Sequence, residues 1–269
     1  MKVFLFPGQG ARNVLSGLEL ARSLQPQLVE VALAETGLTL AQVNAEGGRA
    51  LERTDVLQPL LTACSLAVHA ALLARSVRPD VVLGHSLGEI AAASAAGAFD
   101  AETAIKLAAA RGRLMYREAQ KTPGALFAAA ERDPSLELAA HHAPDEWVMG
   151  GPMEAFKPGL KKLDVSGAWH TSVMRGAVEE LKKELEAAAP LRVPMVRNLD
   201  GELTKDTSTL AEQIAKPVQL AACFERVKSA RVFITVGPGL VLRGLARKNL
   251  GDAVRVLTTE DRADLEALA

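Results

Sequence analysis

At 269 residues the chain can bury a sizeable core as one large domain, or as a large domain carrying a smaller insert, and a string of several domains is not expected. Apolar residues make up 49% and charged residues 23%, a balance that favours neither a disordered nor a membrane class. The net charge of −1, from 31 basic and 32 acidic residues, removes any general electrostatic case for nucleic acid or anionic lipid as a partner. The opening run Met1 to Pro7 is too short for a secretion signal, and no stretch approaches the roughly 18 uncharged apolar residues of a membrane span. A cytoplasmic location is therefore expected. Cys64 and Cys223 both sit in apolar helical contexts and read as buried reduced thiols rather than a disulfide framework or a zinc site.

Val3 to Phe6 is a short apolar run halted by Pro7-Gly8-Gln9-Gly10, the pattern of a buried strand feeding a loop and then a helix over 14–24. A strongly helical stretch covers 57–74, with Thr54 or Asp55 placed to cap it. Val81-Val82-Leu83 is a short strand leading through Gly84-His85-Ser86-Leu87-Gly88 into the Ala-rich helix 89–96. Asp100 opens another helix, which runs towards Glu118 and ends at Thr122-Pro123-Gly124. The texture then changes. Strands are expected at 125–130, 147–149 and 163–166, with a helix over 153–162, as in a small α+β insert. A charged amphipathic helix follows over 172–188, and then a strand at 194–196. Near the end, Val232 to Val236 leads through Gly237-Pro238-Gly239 into the helix 241–250, with a last strand at 254–257. Alternating strands and helices of this kind predict an α/β fold with a parallel sheet.

A serine flanked by glycines two residues to either side, at a strand-to-helix junction, is the nucleophile-elbow arrangement. Its cause is steric: the serine takes a strained conformation at the tip of the turn, and side chains at Gly84 or Gly88 would collide as strand and helix cross. The hydroxyl of Ser86 then stands at a helix N-terminus, and the amide of Leu87 points where an anionic tetrahedral intermediate would form.

An unactivated serine is a poor nucleophile and needs a base within hydrogen-bond reach. Of the five histidines, His69 lies within a helix, His141 and His142 sit in an expected polar loop, and His85 would point away at so tight a turn. Spacing alone favours His170 modestly, at a break after the 163–166 strand.

Several segments together resemble the malonyl-CoA:acyl carrier protein transacylase family of fatty acid and polyketide synthesis. They are Phe6-Pro7-Gly8-Gln9-Gly10, Thr54-Asp55-Val56-Leu57-Gln58-Pro59, Gly84-His85-Ser86-Leu87-Gly88-Glu89, Arg111-Gly112-Arg113-Leu114-Met115, Val165-Ser166-Gly167-Ala168-Trp169-His170, Pro217-Val218-Gln219 and Val236-Gly237-Pro238-Gly239. The resemblance implies a hydrolase-like parallel-sheet core (1–123 and 190–269) with a small ferredoxin-like insert (124–189), and an active site in the cleft between them. It assigns Ser86 as nucleophile, His170 as base, and the Gln9 and Leu87 amides as oxyanion hole. Arg111 would grip the free carboxylate of malonate, for which a planar, permanently charged fork is suited, and the main-chain carbonyl of Gln219 would orient the base. Gln58 and His85 are read as supporting residues. Leu87 after the nucleophile, and Trp169 as a bulky wall beside the base, favour malonyl over methylmalonyl.

The implied substrates are malonyl-CoA and the phosphopantetheine thiol of an acyl carrier protein, with no cofactor or metal. Arg113, Arg117 and Lys121 near the end of the helix opened by Asp100 read as a solvated charged face, with a docking face for an acidic carrier as the alternative. Chain limits suggest a free-standing enzyme acting in trans. The sequence departs from the family pattern at Ala11-Arg12 and in a shortened 125–169 stretch, which bears on how a carrier docks. Alternatives are an editing hydrolase of the same fold that clears carrier proteins, an α/β-hydrolase esterase or thioesterase, and a silent carrier-binding scaffold. Against the esterase stand about a hundred residues after His170 and the lack of a His-Gly-Gly-Gly loop before the elbow; against the scaffold stands the retention of Ser86, His170 and Arg111 together.

Overall fold

The computed structural model describes residues 1–155 and 158–268. Its elements in chain order are β1 (Lys2–Phe6), α1 (Val14–Leu24), α2 (Pro26–Thr36), α3 (Leu40–Asn44), α4 (Thr54–Ala74), β2 (Val81–Gly84), α5 (Gly88–Ala95), α6 (Ala101–Lys121), β3 (Ala125–Ala129), β4 (Glu137–Ala143), β5 (Glu146–Gly151), β6 (Lys161–Lys162), α7 (Arg175–Glu184), β7 (Met195–Val196), β8 (Leu203–Thr204), α8 (Leu220–Arg226), β9 (Val232–Thr235), α9 (Leu240–Leu250), β10 (Arg255–Leu257) and α10 (Arg262–Glu266).

The larger sheet has the order β10-β9-β1-β2-β7-β8, parallel throughout except for the terminal β7–β8 pair. Helices cover both faces, so Val3, Phe4, Leu5 and Phe6 of the central strand are fully buried. That explains why these strands read as uninterrupted apolar runs rather than alternating ones. β1 and β2 run in register, Val3 beside Val81 and Phe6 beside Gly84. The loops that leave them, Pro7–Gly10 and His85–Leu87, therefore emerge side by side at the carboxyl edge, where open parallel sheets place their sites.

Helix α4 is long and apolar enough to cross a bilayer, with a mean hydropathy of 1.7, but 89% of that window is buried inside the molecule. It packs against α1, α2 and α6. The expectation that no stretch approaches a membrane-span composition is corrected: this stretch does, and its burial makes it the core helix. Neither Thr54 nor Asp55 caps it. The cap position is Arg53, without a side-chain bond, and the Thr54 hydroxyl serves the site instead.

The second sheet is antiparallel, in the order β4-β5-β3-β6. Counted within the insert this is second-third-first-fourth, so the first and fourth strands are neighbours and the second and fourth form the edges. The helices that a ferredoxin-like insert would carry are reduced. The expected helix over 153–162 is a single 3-10 turn, Met153–Ala155, residues 156 and 157 lie outside the described residues, and the chain reaches β6 after Pro158 and Gly159, the latter at φ 91°. Proline removes a helix donor and a left-handed glycine breaks the helical path. The expected strand over 163–166 lies earlier, at β6. The stretch holding His141 and His142 is a strand, not a loop, and His141 stacks on Trp147 across the β4–β5 pair at 3.7 Å. Of the segment 124–189 expected to form the insert, only β3 to β6 build this sheet among the described residues. α7 packs along α6 of the larger unit.

Candidate active site

The elbow forms because three backbones meet where only glycine fits. A Cβ on Gly84 would lie 2.1 Å from the Glu89 nitrogen, one on Gly88 2.1 Å from the Phe6 oxygen, and one on Gly8 2.4 Å from the His85 oxygen. Ser86 itself has φ 54°, a left-handed conformation that costs a non-glycine residue on the order of 1–3 kcal/mol unless its surroundings hold it. Two buried amides hold it. Ser86 N donates to Asn198 Oδ1 at 2.7 Å, and Gln213 Nε2 donates to Ser86 O at 2.8 Å. Asn198 is fixed in turn, its Nδ2 donating to Gly84 O and its backbone N to Glu89 Oε1, both at 2.7 Å.

His170 meets this serine. The Ser86 hydroxyl lies 2.6 Å from His170 Nε2, and His170 Nδ1 lies 2.9 Å from the main-chain oxygen of Gln213. A carbonyl can only accept, so Nδ1 carries the proton and Nε2 is left with its lone pair facing the serine. His170 also has φ 62°, and its amide donates to Ile214 O at 3.1 Å. Burial, and then the nearby Arg111 charge, push its pKa down to about 3, so the imidazole is neutral at physiological pH. The carbonyl that orients the base is thus Gln213, not Gln219. Gln219 caps α8, its carbonyl accepting from Cys223 N at 3.0 Å while its own amide donates to Asn198 O at 2.7 Å, so that carbonyl is committed to the helix.

Arg111 on α6 is 1% exposed. Its Nη2 reaches Ser86 Oγ at 3.2 Å and Gln213 Oε1 at 3.0 Å, while Nη1 reaches Gln58 Oε1 at 2.9 Å. The adjacent Gly112 permits this, since a Cβ there would lie 2.9 Å from Thr54 O and Asp55 Cα of α4. Burial lowers the guanidinium to about 10, with Glu89 opposing, and it stays cationic at neutral pH. Glu89 is also buried and is pushed up to about 8, against hydrogen bonds from Asn198 and Gln213 that pull it down. Gln213 is the hub: it serves Arg111 through Oε1, Glu89 through Nε2 at 2.9 Å, Ser86 through Nε2 and His170 through its backbone.

The Gln9 side chain is tied to Thr54 Oγ1 at 2.7 Å, and Gln58 Nε2 shares the same hydroxyl at 2.8 Å. The Gln9 and Leu87 amides have no backbone partner among the described residues. The ring of Trp169 packs over the Gly167 position, close to Ala119, and is 3% exposed. Arg113, Arg117 and Lys121 are a charged helix face whose cations are paired, Arg113 with Glu35, Arg117 with Glu118 and Glu180, and Lys121 with Glu118. His85 turns away from the nucleophile to His142, the two Nε2 atoms 3.1 Å apart.

Ser86 is partly exposed. Two hollows, of about 460 and 490 Å³, open on the Gln9 loop beside it and share Gln9, Ala11, Asp164 and Val165. Three supporting residues have no role in the sequence reading. Glu89 closes the elbow motif, Gln213 precedes Pro217-Val218-Gln219 by four residues, and Asn198 follows a two-residue strand. A buried hub of amides has no spacing rule that would announce it.

A strained serine turn at the carboxyl edge of a parallel sheet, with a neutral histidine delivered from a distant segment, defines an α/β enzyme of the nucleophile-elbow type. The chain belongs to the acyl transferase domain family, which it matches over residues 3–238. It is 32% identical over 281 residues to a phenolphthiocerol/phthiocerol polyketide synthase from Mycobacterium tuberculosis, an alignment taking in 92% of this chain but only 19% of that protein. It is 29% identical to the malonyl CoA-acyl carrier protein transacylase of Bacillus subtilis, covering 91% of this chain and 89% of that one. Among solved structures it resembles MCAT from Mycobacterium tuberculosis, with a TM-score of 0.88 and 27% identity, covering 100% and 99% of the two chains.

Proposed function

We propose that this chain transfers a malonyl group from malonyl-CoA to the phosphopantetheine thiol of an acyl carrier protein through an acyl-Ser86 intermediate, acting in trans in the cytoplasm. The observation that carries the reading is the placement of the Arg111 guanidinium 3.2 Å from the Ser86 hydroxyl, which is itself 2.6 Å from a neutral imidazole. A nucleophile with a buried cation beside it suits an acyl group that bears a carboxylate. The Bacillus subtilis relative, matched over most of both chains, bears the corresponding name.

In the first half-reaction His170 Nε2 takes the Ser86 proton as Oγ attacks the thioester carbonyl. The Leu87 amide, beside the N-terminus of α5, and the Gln9 amide receive the developing oxyanion. The C–S bond then breaks and the departing thiolate takes the proton from His170. In the second half the carrier thiol gives its proton to His170 and attacks the acyl-serine, and Ser86 leaves as the hydroxyl when that proton returns. Gln213 O stabilises the imidazolium in both halves without being protonated.

The test is one assay of malonyl-CoA with a holo carrier protein, following free malonate in parallel. Formation of malonyl carrier well ahead of malonate supports transfer. Malonate as the main product would turn the reading into that of an editing hydrolase.

A further inference from the structure

Arg111 and Glu89 are buried close together, 1% and 3% exposed, with the Gln213 amide between them. Gln213 Oε1 accepts from Arg111 Nη2 at 3.0 Å, and its Nε2 donates to Glu89 Oε2 at 2.9 Å. The other carboxyl oxygen, Glu89 Oε1, accepts from Asn198 N at 2.7 Å. Gln213 and Asn198 are themselves 2% and 0% exposed, so this chain of groups is closed to water. When Glu89 is ionised, it is the countercharge to Arg111. A malonyl carboxylate seated on Arg111 takes that place and leaves Glu89 as a second buried anion with no cation of its own, a situation that proteins relieve by neutralising one group.

We propose that Glu89 takes up one proton from solvent when a malonyl group binds at Arg111, so that this buried carboxylate couples acceptance of a carboxylated acyl group to pH. The proposal rests on the transferase reading above and adds a proton to its first step. The other charged groups around Glu89 do not supply the missing cation. Asp200, beyond β7, pushes Glu89 further up and is paired with Arg197 at 2.6 Å. Cys223 of α8 is buried, with its thiol pushed well up and so kept protonated. Glu212 and Lys216, on the turn that carries Gln213, pair with each other at 2.9 Å. On α6 the other buried charge, Glu118, is bound by Arg117 and Lys121, and His69 of α4 packs against the rings of Phe4 and Phe6. Burial already pushes Glu89 up to about 8, and a second carboxylate beside it raises the transition further, since like charges disfavour ionisation. His170, at about 3, and Arg111, at about 10, do not have their transitions between pH 7 and 9.

The test compares acylation of Ser86 by malonyl-CoA and by acetyl-CoA from pH 6.5 to 9. For malonyl-CoA, kcat/KM should fall about tenfold between pH 7 and 9, the size expected when Glu89 must regain a proton that the free enzyme has lost. Acetyl-CoA brings no carboxylate and should show no such fall. In Glu89→Gln, which is neutral at every pH, the malonyl profile should become as flat as the acetyl one. Proton uptake is counted directly, without reliance on that variant, by calorimetric titration of the Ser86→Ala protein at pH 8.5 in two buffers of different ionisation heat. Malonyl-CoA should take up roughly half a proton or more beyond acetyl-CoA. Parallel pH profiles for the two esters, or equal proton uptake, would overturn the proposal while normal malonyl loading left the transferase reading standing. Failure of the unaltered enzyme to load malonyl at any pH would overturn both.

Discussion

Replacing Arg111 by alanine separates a carboxylate-binding role from a structural one. The guanidinium is fully buried and hydrogen-bonded to Gln58, Gln213 and Ser86, so a malonyl carboxylate placed against it would form a desolvated pair. Truncating one partner of such a pair costs about 2–5 kcal/mol, which is roughly a 30- to 5,000-fold fall in acylation kcat/KM. Acetyl-CoA has no carboxylate and should lose far less, within about fivefold, through the loss of the bond to Ser86 Oγ alone. The informative quantity is therefore the malonyl-to-acetyl ratio of acyl-enzyme formation, measured by rapid quench on the same preparation. Stability also falls, because two buried amide oxygens lose a donor at roughly 1–3 kcal/mol each, and thermal unfolding must confirm that the variant is folded. If malonyl and acetyl loading drop by the same factor, Arg111 supports the elbow and does not bind the acyl group, and the inference from its position fails.

Gln213→Ala should lower acylation and melting temperature together, since it removes bonds to Arg111, Glu89 and Ser86, whereas Gln219→Ala, whose side chain makes no cap bond, should change stability by no more than about 0.5 kcal/mol. Gly88→Ala should abolish soluble folded enzyme or its activity, because its Cβ would lie 2.1 Å from the Phe6 oxygen; a normal melting curve with full activity would refute the close-packing argument. The acid limb of acylation should extend well below pH 6, because His170 is held neutral down to about 3. In stability, a base whose folded pKa is depressed loses stabilisation as pH falls from its ordinary value near 6.5 towards 3. Glu89, raised to about 8, acts oppositely: its contribution is complete below its ordinary 4.5 and disappears as pH rises through 8. Glu89→Gln should therefore flatten the decline in melting temperature between about pH 5 and 9, and an unchanged slope would show that Glu89 does not titrate there.

The elbow is legible in the sequence because its cause is local. Two glycines and a serine must stand at fixed offsets for a strand and a helix to cross, and β2, Ser86 and α5 lie where that geometry requires. The parallel sheet is legible for a similar reason, since strands buried on both faces leave short apolar runs. Groups defined only by tertiary contact are not. The carbonyl that holds His170 belongs to Gln213, and a main-chain oxygen has no residue-type signature, so a recognisable motif four residues later draws the assignment to Gln219. Trp169 neighbours His170 in the chain, but its packing is set by the fold. The left-handed turn at His170 sends the imidazole to the serine while the indole folds back on Gly167 near Ala119. The cations Arg113, Arg117 and Lys121 are a helix face, and only the fold reveals that Glu35, Glu118 and Glu180 already neutralise them.

Covalent transfer through one hydroxyl held by one imidazole is the claim on which the chemistry depends. Intact-mass analysis after brief exposure to malonyl-CoA, with peptide mapping, tests it directly. A single malonyl group on Ser86 is predicted, absent in Ser86→Ala, strongly slowed in His170→Ala and discharged by added carrier thiol. A malonyl adduct on another residue, or continued turnover by Ser86→Ala, would contradict it.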